Sequence, residues 1–247
     1  MSRSLPKVLG KPPLREVIFE IRFETEKPAT GDLLLGTLYS ALQKDYSEVI
    51  SLPMAGIPKE LREQNPELKY QPSHRFSSGS HSVNIGDRAI NLHTLEYPGW
   101  SRFKGMTLTL IEALKKTGFV KQVERFSFKY TNLIEASESE NQLSLLDMHL
   151  EIIGMPPSEK GFHLRTERKE GKFATIIQVA PHSIVTLLAI KKDISGLLVA
   201  VDTIRMEVEN EFWANPASLL EDGHTIAKQT FFSLLTGAAE KRLEPTY

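Results

Sequence analysis

The sequence predicts an α+β protein built on antiparallel sheet. Two observations indicate this: segments in which every second residue is apolar recur along the 247-residue chain, and longer segments with helical spacing separate them. The clearest segment is PPLREVIFEIRFE, where Val17, Phe19, Ile21 and Phe23 alternate with residues that would face the other way. It predicts a strand over residues 16–25 with one face toward a core.

The N-terminal half continues with two helices and three short strands. Apolar residues at helical spacing predict helices at 31–46 and 101–117. Alternation and turn residues predict antiparallel strands between them at 68–77, 80–85 and 88–95. The half therefore reads as strand, helix, several strands, helix.

The C-terminal half repeats this order of elements. Its expected elements are a strand at 120–134, an apolar segment, LSLLDMHLEII, that could be a helix leading into a strand, strands at 161–169, 172–181 and 196–207, and a helix at 216–239. The repeat predicts two tandem β-α-β(4)-α lobes, as in TATA-box-binding-protein-like or helix-grip folds. We expect a flexible arm at 1–13 and lobes at 14–118 and 119–247 that pack as one unit, with helices on one sheet face and the other face open to solvent, a ligand or a partner.

Composition excludes several classes of function. The chain has no cysteine, so disulfides, thiolate nucleophiles and Cys-ligated zinc are absent, and its net charge of −1 supplies no general attraction to polyanions. The N-terminus is charged without an apolar core, and no window reaches 18 continuous apolar residues. We expect a cytoplasmic protein with no signal peptide and no membrane partner.

Catalytic and metal motifs are missing as well. The chain contains no G-x-x-x-x-G-K-[ST], G-x-G-x-x-G, G-x-S-x-G or H-E-x-x-H sequence. His81 and His93 lie in one expected hairpin, but a two-residue turn at Gly86-Asp87 would pair His81 with Leu92 and place the two imidazoles on opposite faces. We therefore expect no metal and no cofactor.

Longer motifs carry a family resemblance. PPLREVIFEIRF, a W-S-R-F helix start, an R-F-S-F-K-Y-T-N-L-I strand and a G-L-L-V-A-V-D strand resemble a sporadically distributed bacterial family of about 250 residues that begins with P-P-L-x-E-V-x-F-E-x-R-F. The resemblance covers residues 12–240. It implies a bacterial, cytosolic protein, associated with mobile or defence DNA, and it supplies no functional residues because the family has no assigned activity.

Four polar residues interrupt apolar patterns and are candidate binding or network residues. Arg22 lies on the face opposite Phe19, where it can pair across strands or point toward an anion or an acidic partner. Asn132 follows an aromatic strand, and Asp202 ends the apolar run GLLVAVD. Asp202 could orient His224 on the last helix, either as a structural network or as a small acid–base site.

Three function classes stay open on these grounds. The first is a non-catalytic binding or accessory protein that holds another protein, or a second copy of itself, on an exposed sheet face, edge or groove. The second is a nucleic-acid or nucleotide binder, for which Arg125, Lys129 and Tyr130 offer charge with an aromatic ring. The third is an enzyme that uses Asp202 and His224.

Overall fold

The computed structural model describes residues 4–25, 30–187, 191–206 and 208–247. Within these residues the chain forms eleven strands. They are β1 (Val8–Leu9), β2 (Leu14–Thr25), β3 (Glu48–Ser51), β4 (Pro72–Ser78), β5 (His81–Gly86), β6 (Ala89–Thr94), β7 (Val120–Glu135), β8 (Leu164–Glu170), β9 (Phe173–Leu187), β10 (Lys192–Met206) and β11 (Pro245–Thr246).

Six α-helices accompany the strands in the same described part of the chain. They are α1 (Thr30–Leu42), α2 (Lys59–Gln64), α3 (Trp100–Lys116), α4 (Glu209–Ala214), α5 (Pro216–Leu234) and α6 (Gly237–Arg242). The α+β class predicted from the sequence is confirmed.

Nine strands form a sheet in the order β3-β4-β5-β6-β2-β7-β10-β9-β8, and β1 pairs with β11. The pairings β3–β4, β4–β5, β5–β6, β2–β6 and β8–β9 are antiparallel. Antiparallel pairing was expected, because the segments are short and their breaks are turns of a few residues.

Several boundaries differ from the predicted ones. The strand expected at 68–77 begins only at Pro72, and β3 lies between α1 and this strand, where no strand was expected. The helix expected at 216–239 ends at Leu234, and a new helix begins after Thr236, whose hydroxyl accepts a hydrogen bond from the Ala239 amide. This N-cap satisfies an amide that a continuous helix would bond internally, so the cap makes the break.

The chain divides into two compact units. Unit 1 comprises Met1–Arg15, Lys129–Thr203 and His224–Tyr247, and unit 2 comprises Glu16–Phe128 and Ile204–Gly223. The units are defined by compactness, whereas the lobes expected at 14–118 and 119–247 are defined by a repeated order of elements. The tandem lobes therefore stay a prediction.

The core of unit 2 lies on one face of its strands. Val17, Phe19, Ile21 and Phe23 of β2 are completely buried, as the alternation predicts. The ring of Phe19 contacts that of Phe128 at a centroid distance of 5.1 Å. Helix α1 packs on this apolar face, since its Tyr39 contacts the ring of Phe76 on β4 edge to face. All of these aromatic rings therefore belong to the helix-covered side.

The core of unit 1 is formed by alternate residues of its longest strands. On β10, Leu197, Val199 and Val201 are completely buried, and on β9 Val179 is almost so. Gly196 of β10 lies against the backbone carbonyl of Ile134 on β7, so closely that an added Cβ would overlap it. Only glycine permits this approach of two strands.

Candidate functional site

The open face of unit 2 is the sheet face opposite its aromatic core. The register places Arg75 of β4 opposite Asn84 of β5, Asn84 opposite Asn91 of β6, and Asn91 opposite Glu20 of β2. These four side chains therefore form one row across four neighbouring strands. Arg22, two residues along β2, lies on the same face. The open face is thus lined by polar side chains where the other face is lined by aromatic ones.

Hydrogen bonds between side chains order the first part of this row. Nε of Arg75 donates to Oδ1 of Asn84 at 2.7 Å, and Nδ2 of Asn84 donates to Oδ1 of Asn91 at 2.7 Å. Asn84 is buried, while Arg75 and Asn91 are half-buried. A half-buried polar row of this kind is pre-ordered before any partner arrives.

Glu20 organises the second part. Its Oε1 accepts hydrogen bonds from Nε of Arg22 at 2.7 Å and from Nη2 of Arg125 at 2.9 Å. The side chains of Glu20 and Arg125 are largely buried, and that of Arg22 is 30% exposed. One carboxylate thus holds two guanidinium groups at the surface of the sheet, so this cluster of three side chains carries a net positive charge.

The aromatic ring of Tyr70 packs against the guanidinium group of Arg22. The guanidinium carbon of Arg22 lies 4.3 Å from the centre of the Tyr70 ring, and the ammonium nitrogen of Lys69 lies 4.9 Å from it. The Tyr70 hydroxyl donates to Oε2 of Glu124 at 2.7 Å. A hydrogen bond with Tyr70 raises the pKa of Lys69, so this residue is charged at neutral pH. The ring therefore fixes the direction in which Arg22 points.

A separate cluster in unit 2 surrounds the buried Arg62. This arginine donates to both carboxylate oxygens of Asp87, at 2.8 and 3.1 Å, and to the carbonyl oxygens of Met54 and Ile57, both at 2.8 Å. It lines a cavity of about 350 Å³ together with His74. The cluster closes the β5–β6 turn onto the segment before α2, so we assign it a structural role.

The two hairpin histidines face opposite sides of the sheet, as predicted. His81 pairs with Thr94, and Ser82 pairs with His93, so the expected pairing of His81 with Leu92 was wrong. The register differs because the turn is longer than two residues. His93 contacts Glu16 at 2.9 Å on the open face. His81 contacts the Thr94 hydroxyl at 2.7 Å on the core face, where burial and then the Arg102 charge lower its pKa.

The other three residues singled out from the sequence lie in unit 1. Asn132 is buried and donates through Nδ2 to the Val199 carbonyl at 3.4 Å. His224 shares a hydrogen bond of 2.9 Å between Nδ1 and the Tyr130 hydroxyl, which joins α5 to β7. Asp202 alternates with Val201, which is completely buried, so strand geometry directs its side chain to the other face. The Asp202–His224 pair stays a prediction.

The residues proposed for nucleic-acid binding differ in accessibility. Tyr130 is only 8% exposed, and its ring also contacts the His224 ring at a centroid distance of 5.9 Å. A base could stack on it only after this contact opens. Lys129 is half-buried in unit 1, and Arg125 belongs to the Glu20 cluster of unit 2.

Sequence reasoning identified Arg22 and Arg125 but missed their neighbours. Glu20, Arg75, Asn84 and Asn91 each occupy the polar phase of a correctly identified strand, so the alternation contains the signal. What was lacking is the register, which the turn lengths determine and which brings the four into one row. Tyr70 carried no such signal, because it lies in a loop before β4.

Comparison with protein-family models and with curated proteins gave no match. No helix in the described part of the chain is long and apolar enough to cross a membrane. In that same part, no group of three or more histidine or acidic side chains could hold a metal ion.

Proposed function

We propose that this protein is a non-catalytic, cytosolic binding or accessory protein that holds another protein on the open face of unit 2. The observation that carries the proposal is the row of polar side chains from Arg75 to Arg22, ordered by mutual hydrogen bonds and still partly exposed. Arg75 and Arg22 each use only one N–H group in these contacts, and charged donors that the protein leaves unused at a surface can bind a partner.

The two competing functions have less support from the described contacts. Nucleic-acid binding through an aromatic platform needs an exposed ring, and Tyr130 is buried. Acid–base catalysis by His224 needs a free imidazole nitrogen beside a carboxylate, and the contact described for Nδ1 is the Tyr130 hydroxyl. The residue arrangement therefore favours a binding protein over both alternatives.

The proposal is tested by comparing how much partner is captured by the wild-type protein and by two variants that carry the same charge reversal at different positions. Native mass spectrometry of the tagged protein, purified from its host at low salt, should show a stoichiometric protein partner. Arg22→Glu should reduce that complex at least about tenfold, because it reverses a charge in the Glu20 cluster of the face. Arg102→Glu is the matched control: it makes the same change at an exposed position on α3 and should leave the complex intact.

Thermal denaturation checks that both variants are folded. A complex that survives Arg22→Glu would remove the open face from the interface. A bare monomer, or a nucleotide adduct in place of a protein, would refute the binding role as stated here.

A further inference from the structure

We infer that the open face of unit 2 recognises carboxylate groups, and that its ligand is an extended acidic segment of a partner protein lying across the strands from Arg75 to Arg22 and Arg125. This inference rests on the proposed function and adds the chemistry of the partner. Three independent features of the face support it.

The first feature is the number of donors that the protein leaves available. A guanidinium group has five N–H groups arranged to bind carboxylates in pairs. Within the described residues, Arg22 and Arg125 each donate only to Glu20, and Arg75 donates only to Asn84. Most N–H groups of these three arginines therefore have no acceptor among the described residues and are available to a ligand or to water.

The second feature is a buried donor with no acceptor. Nε of Arg125 is shielded from solvent, and no described protein atom accepts its hydrogen bond. Buried charged donors without a partner are rare, because the lost hydrogen bond to water is not replaced. A ligand carboxylate, or a water molecule that the ligand displaces, would satisfy this group.

The third feature is the spacing of the two basic ends. Arg75 and Glu20 lie three strand positions apart in one row, which corresponds to about 14 Å between their Cα atoms. An extended peptide covers this distance in about four residues. Two acidic groups separated by three or four residues would therefore reach Arg75 at one end and the Glu20-bound arginines at the other.

Three acidic residues of the face contact cations or a tyrosine and leave most of the arginine donors unused. Glu20 is shared by two arginines, and Glu124 accepts from the Tyr70 hydroxyl and lies 3.8 Å from Lys69. Glu16 contacts His93 in the neighbouring row. Glu20, Glu124 and Glu16 thus each hold a cation or a tyrosine in place, while the arginine N–H groups that Glu20 and Asn84 do not accept stay available.

A nucleic acid fits the face less well than an acidic peptide. Single strands bind through aromatic rings that accept a base on an open face. Both Arg22 and Lys69 lie over the Tyr70 ring. The face therefore offers cations for carboxylates but no clear stacking platform.

The test uses the full chain and a fluorescein-labelled peptide, Glu-Glu-Ser-Gly-Ser-Glu-Glu, with binding followed by fluorescence anisotropy at low salt. We expect saturable binding that the peptide with Gln in place of every Glu does not show. Arg75→Gln and Arg22→Gln should each weaken binding about tenfold, since each removes charge-assisted hydrogen bonds. Arg102→Gln, the matched control, should not change it.

Asn91→Asp supplies a second variant that preserves shape. It keeps the oxygen that accepts from Asn84 but adds a negative charge to the middle of the row, so it should also weaken the acidic peptide. Absence of peptide binding, equal affinity of wild type and the arginine variants, or preferential binding of an oligothymidylate would each overturn the inference. A native partner whose capture does not change in Arg75→Gln and Asn91→Asp would overturn only the acidic chemistry. Failure of the wild-type protein to capture any protein partner would overturn the proposed function.

Discussion

Unit 2 contains two arginine clusters, and they differ in how much of each guanidinium the protein itself uses. Arg62 donates four hydrogen bonds, two to Asp87 and two to backbone carbonyls, and it is 7% exposed. Arg22 and Arg125 share one carboxylate and donate one hydrogen bond each. The comparison separates a guanidinium that completes the fold from guanidinium groups that are held in place with donors to spare.

The difference has a physical consequence for the two roles. Arg62 could not bind a ligand without breaking bonds that compensate its own burial, so it stabilises the turn at Asp87 and nothing else. The arginines of the open face need no such rearrangement, because most of their N–H groups have no acceptor among the described residues. Stability should therefore depend on the first cluster and binding on the second.

The largest expected effect follows from removing the partner of Arg62. Asp87→Ala leaves a buried guanidinium without its carboxylate and should lower the free energy of unfolding by about 3–5 kcal/mol. Urea denaturation followed by circular dichroism measures this loss. The double variant Arg62→Met/Asp87→Leu, which removes both charges, should recover part of it.

In the other cluster the change is the milder Glu20→Gln, which removes the charge but keeps the side chain. It retains an oxygen that can accept from Arg22, and the cluster is partly exposed, so the loss of stability should stay below about 1 kcal/mol. Equal losses for Asp87→Ala and Glu20→Gln would show that the two clusters contribute in the same way and would end the distinction between them.

Tyr70 offers an intermediate effect that sharpens the comparison. Tyr70→Ala removes the ring that contacts the Arg22 guanidinium. It should weaken binding of the acidic peptide about threefold, from the loss of a cation–π contact of about 0.5–1 kcal/mol. Tyr70→Phe keeps the ring and removes the hydroxyl, with its hydrogen bonds to Glu124 and Lys69. Anisotropy titration should therefore show near wild-type affinity for Tyr70→Phe.

If Tyr70→Ala and Tyr70→Phe weaken peptide binding equally, the Tyr70 hydroxyl contributes more to the binding affinity than the ring does. Arg22 would then not be positioned by its contact with the aromatic face. Thermal denaturation of the two variants separates this outcome from a general loss of structure.

The sequence predicted the strands well because a sheet with one buried face imposes a period of two. The alternation of β2 places Phe19 in the core and Glu20 outside, as observed. The register of β5 and β6 was not predictable in this way, since it depends on the length of the turn at residues 86–89. A shift of two residues keeps each side chain on its face but changes its cross-strand partner.

The candidate site was only partly predictable for the same reason. Arg22 stood out as a cation in an aromatic strand, but its partners come from distant segments: Arg125 lies on β7 and Tyr70 in a loop. Long-range pairing of this kind is set by tertiary packing and leaves no local pattern. The buried Arg62 was missed because KELREQ resembles an ordinary solvated helix.

The smallest expected effect concerns His81, the hairpin histidine on the core face of the sheet. Burial, followed by the charge of Arg102, lowers the pKa of His81 from its ordinary value of 6.5. The folded protein therefore binds this proton less readily than the unfolded chain does. Stability from this group is complete above pH 6.5 and declines as the pH falls through 6.5 and then through the lowered folded value.

His81→Asn should reduce this decline, because asparagine can still contact the Thr94 hydroxyl but does not titrate. Urea denaturation on either side of pH 6.5 measures this decline in stability. A second variant, Arg102→Gln, should raise the pKa of His81 in an NMR titration, because it removes a neighbouring positive charge. A pKa that does not move in Arg102→Gln would leave burial as the sole cause. An unchanged acid decline in His81→Asn would assign the proton to another group.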